Sequence, residues 1–172
     1  MITKIDTNIP KSTNKKIINI LYKTQGWKFG VDKIDRNNIN KPDCGFILTT
    51  MPVESNTIVT ESLNTYAGII IDLIQDKNFL KFKETKRIFW NWYNQNSIME
   101  FHEDNAQDNA FSIVYNLHDN DGGTEFKVND NVEFYESVES QALLFPSKLY
   151  HRGMSPKKNL NRFSLNFKKF LS

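Results

Sequence analysis

The sequence predicts an α+β fold that is mainly β: a sandwich or short barrel of antiparallel strands with helices packed on one sheet. From Arg87 onward, apolar and polar residues alternate with period two through a series of short segments. Helical periodicity is confined to the first half of the chain. The separators in the second half are Asp and Asn clusters, Asp121-Gly-Gly123 and Pro146-Ser147, all turn chemistry.

Taken in order, Ser12 and Thr13 are suited to cap a helix whose apolar stripe is Ile17, Ile18 and Leu21, with Gly26 as its stop. Gly45-Phe-Ile-Leu-Thr-Thr50 has the β-branched content of a strand. A second helix following Thr60 places Leu63, Tyr66, Ala67, Ile70 and Ile74 on one face. Strands are then expected at Arg87–Tyr93, Ile98–Asp104, Phe111–Leu117, Glu125–Val128, Val132–Val138, Gln141–Phe145 and Asn161–Phe170. Neither repeat nor long linker divides the chain, so 1–172 reads as one domain, with a helical support region over 1–86 and a β core over 87–170.

Composition narrows the function classes. The chain has 172 residues, 39% of them hydrophobic and 24% charged, which is ordinary globular usage. A net charge of +2 gives no electrostatic case for nucleic acid or membrane as a partner. Cys44 is the one cysteine, so no internal disulfide forms and a reducing, cytoplasmic setting is expected. The Met-Ile-Thr-Lys-Ile-Asp start lacks the apolar core of a signal peptide, and the Ala67–Ile74 stretch is too short for a membrane span.

The chemistry concentrates in Glu100-Phe-His-Glu-Asp104, followed by His151 and Arg162. Residues two apart on a strand share a face, so His102 and Asp104 are expected to point inward together while Glu103 points away. With His151 from another strand they form a set of two nitrogens and one carboxylate, the facial triad of non-haem Fe(II) oxygenases. Taken alone, His-x-Asp also fits a carboxylate orienting a histidine, and His151 fits a core or surface role. Further on, Arg162, Ser164 and Asn166 share one strand face and Phe163, Leu165 and Phe167 the other. An inward arginine needs an anionic partner, and its fork suits a carboxylate.

From Arg87 to Phe170 the chain resembles the Fe(II)- and 2-oxoglutarate-dependent dioxygenases, most of all the small prolyl-4-hydroxylase-like members frequent in phage genomes. The resemblance covers about half the chain and rests on Arg87-Ile-Phe-Trp-Asn-Trp-Tyr93, His102-Glu-Asp104, Ile113-Val-Tyr115, Asp121-Gly-Gly-Thr-Glu-Phe126, Val138-Glu-Ser-Gln-Ala-Leu-Leu-Phe145, His151 and Arg162-Phe-Ser164. It implies a double-stranded β-helix (a jelly-roll, cupin-like barrel), with Fe(II) on His102, Asp104 and His151. It also implies that Arg162 pairs with the distal carboxylate of 2-oxoglutarate, with Ser164, Tyr115 and Tyr93 as further cosubstrate contacts. Asp104, being a carboxylate, argues against the halogenating branch of the family. The implied activity is hydroxylation of a C–H bond with O2, releasing succinate and CO2, on a protein or peptide side chain. The run Phe111, Ile113, Tyr115 and Leu117 is expected to face the barrel interior, bringing the Tyr115 phenol to the cosubstrate.

Other readings remain at this stage. The same iron chemistry on a nucleobase or nucleic acid is suggested by the basic runs Lys81, Lys83, Lys86, Arg87 and Lys157, Lys158, Lys168, Lys169, although such runs are usually solvated faces. A cupin-type metal dioxygenase without 2-oxoglutarate, and a non-catalytic barrel module, are the other two. A small-molecule substrate is also compatible. The loops expected to close the pocket are Val31–Asp43, Asn105–Ala110 and Leu149–Tyr150, and His118 is expected to be a solvated loop residue.

Overall fold

The computed structural model describes residues 1–29, 45–51, 58–78, 82–95, 97 and 99–171. The Val31–Asp43 loop, Cys44 and Lys81 lie outside them. In chain order the elements are β1 (Thr3–Asp6), α1 (Lys11–Lys23), β2 (Lys28–Phe29), β3 (Phe46–Met51), α2 (Ile58–Asn78) and β4 (Phe82–Asn94). They continue as β5 (Ala110–Asn116), β6 (Asn120–Val128), β7 (Asn131–Ser137), β8 (Gln141–Pro146), β9 (His151–Met154) and β10 (Asn161–Leu171).

The strands form two antiparallel sheets. The larger has the order β1-β8-β5-β10-β4-β3-β2 and the smaller β7-β6-β9. β10 runs through the middle of the large sheet, its Arg162 opposite Tyr93 of β4 and its Ser164 opposite both Asn91 and Asn116. Ile17 and Leu21 of α1, with Leu63, Ala67, Ile70 and Ile74 of α2, pack against Ile88, Trp90, Ile113, Tyr115, Phe163, Leu165 and Phe167 of the sheet. The other face of the large sheet meets the small one, with Val114, Phe126, Leu143 and Phe145 packed between. The sheet is therefore buried on both faces, and the expected mainly β fold with helices on one sheet is what forms. No described helix is long and apolar enough to cross a membrane.

Several expected boundaries shift for local reasons. Pro10, with φ −58 and ψ 138, caps α1, and Thr13 N–H donates to its carbonyl. Ser12 and Thr13 therefore lie inside the first turn, because the preset proline φ already suits helix entry. Ile98–Asp104 was expected as a strand; its described part makes only an isolated bridge, His102 to His151. Asp104 and Asn105 instead donate their N–H groups to the Ser147 carbonyl. Asp121-Gly-Gly123 is not a turn but part of β6, at a register irregularity between Asn120 and Gly123. A Cβ on Gly122 would lie 2.6 Å from the Met154 carbonyl oxygen, and one on Gly123 would strike the Tyr135 carbonyl. Only glycine lets both neighbouring strands approach here.

Candidate functional site

Three ligand-type side chains meet between the sheets. β9 begins at His151, and the bridge that pairs its backbone with His102 also brings the two imidazoles together, ring centroids 4.6 Å apart. Ligand atoms of His102, Asp104 and His151 all lie within 4.8 Å of one another. Asp104 Oδ1 is 3.9 Å from His102 Nε2, and its Oδ2 is 3.6 Å from His151 Nε2.

The tautomers follow from the backbone. His102 Nδ1 lies 3.0 Å from the Glu100 carbonyl and His151 Nδ1 lies 2.8 Å from the Leu149 carbonyl. A carbonyl can only accept, so in the neutral rings Nδ1 carries the proton and each Nε2 presents a lone pair toward Asp104. Burial pushes the His151 imidazole down to about 4, against the pull of Asp104. That ring, flanked by Phe126 and Phe145, is neutral near pH 7 and ready as a ligand. Burial pushes the Asp104 carboxyl up, but His151, Lys168 and the Ser112 hydroxyl outweigh it and hold it below the usual carboxylate range. The Ser112 hydroxyl donates to Asp104 Oδ2 at 2.6 Å and is itself 2.8 Å from Ser147 Oγ. Two imidazoles tied to carbonyls through Nδ1, with an ionised carboxylate between them, are the donor set a divalent metal requires.

Arg162 makes the second half of the site. It is only 1% exposed, yet its Nε and Nη1 have no hydrogen-bond partner among the described residues. Its Nη2 makes two long contacts, 3.4 Å to Asn116 Oδ1 and 3.4 Å to Thr124 Oγ1. The Tyr93 ring lies 5.2 Å from the guanidinium. Burial lowers the arginine from its ordinary value, and it raises the Tyr93 phenol, with Arg162 opposing that rise. A buried guanidinium with two idle donors is costly unless an anion completes it. The fork and the triad line one cavity of about 260 Å³, walled also by Phe89, Met99 and Val114.

Of the residues anticipated from sequence, His102, Asp104, His151, Arg162, Ser164 and Tyr93 all line this cavity. Tyr115 does not. Its hydroxyl donates to Asn14 Oδ1 of α1 at 2.8 Å, on the helix-packed side of β5. The apolar face of β5 is the one the helices cover, while Val114 from the other face reaches the cavity. The expected Tyr115 contact to the cosubstrate is therefore corrected, and Tyr93 is the tyrosine beside Arg162. Ser164 donates to Asn166 Oδ1 at 3.1 Å. His118, expected to be solvated, accepts the Phe163 N–H on Nε2 at 3.1 Å.

Four features were not anticipated. Lys168 Nζ lies 2.9 Å from Asp104 Oδ1, and carrying the alternation of Arg162, Ser164 and Asn166 one step further would have found it. The Ser112–Ser147 pair and Thr124 come from separate strands and turns and had no local pattern. Gly153 was invisible as well: a Cβ there would lie 2.7 Å from the Tyr93 hydroxyl, so the glycine makes room for that ring.

Neither a protein-family model nor a curated protein matches the sequence. Solved structures do match in fold. A prolyl hydroxylase from Trichoplax adhaerens, in complex with a hypoxia inducible factor oxygen degradation domain peptide fragment, aligns with TM-score 0.73 at 15% identity, over 98% of this chain and 83% of that one. A Pseudomonas putida prolyl-4-hydroxylase aligns with TM-score 0.64 at 13% identity, over 99% and 92%. HygX from Streptomyces hygroscopicus, with nickel and 2-oxoglutarate bound, aligns with TM-score 0.66 at 12% identity, over 99% and 83%. The chain has the fold of the 2-oxoglutarate–Fe(II) oxygenases. Its two antiparallel sheets with the site between them are the jelly-roll arrangement expected for a double-stranded β-helix.

Proposed function

We propose that this protein is an Fe(II)- and 2-oxoglutarate-dependent dioxygenase that hydroxylates a C–H bond of a protein or peptide side chain. The observation that carries the reading is the pairing, in one cavity, of a His-Asp-His set with a buried guanidinium whose Nε and Nη1 have no partner among the described residues. His102, Asp104 and His151 would hold the metal, and Arg162 would hold the distal carboxylate of the cosubstrate in a two-bond fork. Bound iron would supply dioxygen activation coupled to oxidative decarboxylation of 2-oxoglutarate, yielding succinate, CO2 and a hydroxylated product.

The chain's own share is placement and exclusion. Ser112 and Ser147 fix the Asp104 carboxylate, and the Glu100 and Leu149 carbonyls fix the imidazoles. Tyr93 and Gly153 shape the wall beside Arg162, and Phe89, Met99 and Val114 keep that wall apolar. With three protein ligands, a bound ion would keep room for cosubstrate and oxygen. A peptide substrate is favoured by analogy with the Trichoplax adhaerens enzyme, whose complex holds a peptide fragment.

Purified protein given Fe(II), 2-oxoglutarate, ascorbate and air should release succinate, and candidate peptides should gain one oxygen in mass. Anaerobic titration of the Fe(II) form isolates the role of Arg162. A charge-assisted pair is worth on the order of 1.5–3 kcal/mol. Arg162→Ala should therefore weaken 2-oxoglutarate by roughly 10- to 150-fold while metal binding persists. Arg162→Lys should fall between, keeping charge and losing the fork. Succinate release unaffected by Arg162→Ala would show that Arg162 does not hold 2-oxoglutarate, whereas substrate oxidation that proceeds without 2-oxoglutarate and is unchanged in Arg162→Ala would point to a cupin-type metal dioxygenase.

A further inference from the structure

Lys168 occupies an unusual place for a lysine near the end of a strand. It follows Arg162, Ser164 and Asn166 on the cavity face of β10, opposite Arg87 of β4 and Ser112 of β5. Its side chain is 20% exposed, its Nζ lies 2.9 Å from Asp104 Oδ1, and it also donates to the Asp104 backbone carbonyl at 3.1 Å. The β10–β4 register shifts between Lys168 and Lys169. Lys169, by contrast, lies with its Nζ over the Phe82 ring, 5.6 Å from the centroid. Two consecutive lysines thus leave solvent for separate partners, and only Lys168 reaches the carboxylate.

The two oxygens of Asp104 are consequently treated differently. Oδ2 takes a neutral hydroxyl from Ser112 at 2.6 Å and lies nearer an imidazole, 3.6 Å from His151 Nε2. Oδ1 takes the ammonium. We infer that Lys168 is a positioning residue that sets the charge and the ligation mode of the metal centre. This rests on the reading of His102, Asp104 and His151 as metal ligands. By engaging Oδ1, the ammonium restrains Asp104 to ligation through one oxygen, so the carboxylate does not spread over a second position. Its positive charge also opposes charge accumulating on the ion. A partly buried cation at this range is screened only in part. It therefore lowers affinity for any divalent ion while favouring the ferrous over the ferric state.

Three variants separate charge from hydrogen bonding: Lys168→Met removes both, Lys168→Gln keeps a donor without charge, and Lys168→Arg keeps both. Co(II) affinity is measured by calorimetric titration, with the visible spectrum of the Co(II) form reporting coordination. Air oxidation of the Fe(II) form without 2-oxoglutarate, one electron passing from iron to dioxygen, is followed by the ferric electron paramagnetic resonance signal. The Met and Gln variants are expected to bind Co(II) at least about fivefold more tightly than the unmodified protein and to oxidise several-fold faster. Lys168→Arg should stay near the unmodified protein in both. A merely structural lysine predicts weaker or unchanged metal binding and an unchanged oxidation rate. Either result in the Met or Gln variant overturns the inference, and if Met fails to fold, Gln decides. An unmodified protein that binds no Co(II) overturns the metal reading and this inference with it. Binding by the unmodified protein with no gain in the variants refutes the role of Lys168 alone.

Discussion

Tyr115 and Tyr93 lie on opposite sides of the same sheet, and their hydroxyls serve different ends. The Tyr115 phenol ties β5 to α1 through Asn14 Oδ1, while Asn14 Nδ2 donates to Ser140 Oγ at 2.9 Å. Tyr115→Phe removes one buried hydrogen bond and leaves Asn14 Oδ1 without its donor. The expected cost is about 1–3 kcal/mol, a melting temperature lower by roughly 2–12 °C. The 2-oxoglutarate half-saturation should not change. A shift in half-saturation with no change in melting would return Tyr115 to the cosubstrate. The β5 alternation itself was legible: Ile113, Tyr115 and Leu117 do share a face. Which face meets the cavity was not, because the large sheet is covered on both sides and its more apolar face belongs to the helices. On β10 the alternation does turn Arg162 and Ser164 to the cavity, because they are polar on a buried strand and buried polar groups gather where a cavity can accept them.

Elements carry their own consequences where a ladder runs out. β5 and β10 pair from Ala110 to Asn116, and beyond that point the His118 ring takes over as acceptor for the Phe163 N–H at 3.1 Å. An accepting Nε2 requires the neutral imidazole. Burial and then Arg162 hold His118 below its ordinary value, with Glu139 and Asp119 opposing. The unfolded chain takes up the proton near pH ~6.5, so the folded state binds fewer protons just below that pH. This contribution to stability is fully present above about pH 6.5 and is lost as pH falls through the lowered folded value. Its slope reaches at most about 1.4 kcal/mol per pH unit. With chelator present, melting between about pH 7.5 and 5 should fall less steeply for His118→Gln, which does not titrate there. Identical slopes would show that the ring titrates as it does in the unfolded chain. No sequence pattern announced this role, since it depends on two segments meeting at a sheet edge. β1 was missed for the same reason: its four residues are defined by pairing with β8, far along the chain.

At the scale of the whole molecule, the candidate ligands join parts that the backbone connects sparingly. His151 opens β9, an edge strand of the small sheet, whereas His102 and Asp104 belong to a segment outside the named strands. That segment is held by the reciprocal His102–His151 backbone bonds of 2.9 and 3.0 Å and by the Ser147 carbonyl. The motif was readable because its residue types are scarce, the chain having only three histidines. The loop that carries it was not readable, because its geometry comes from Ser147 and His151 rather than from alternation. A divalent ion shared by these side chains adds a cross-link that the unfolded chain lacks. At a free metal concentration about 100 times the dissociation constant, the linkage is worth about 2.7 kcal/mol, a rise of roughly 5–11 °C in melting temperature. His102→Ala should abolish most of that rise. Hydrogen exchange should slow chiefly at the His102 and His151 amides, whose mutual bonds the ion would clamp, and much less in α1 and α2. An equal rise in His102→Ala, or protection gained mainly in the helices, would place the ion elsewhere and remove this segment from the site.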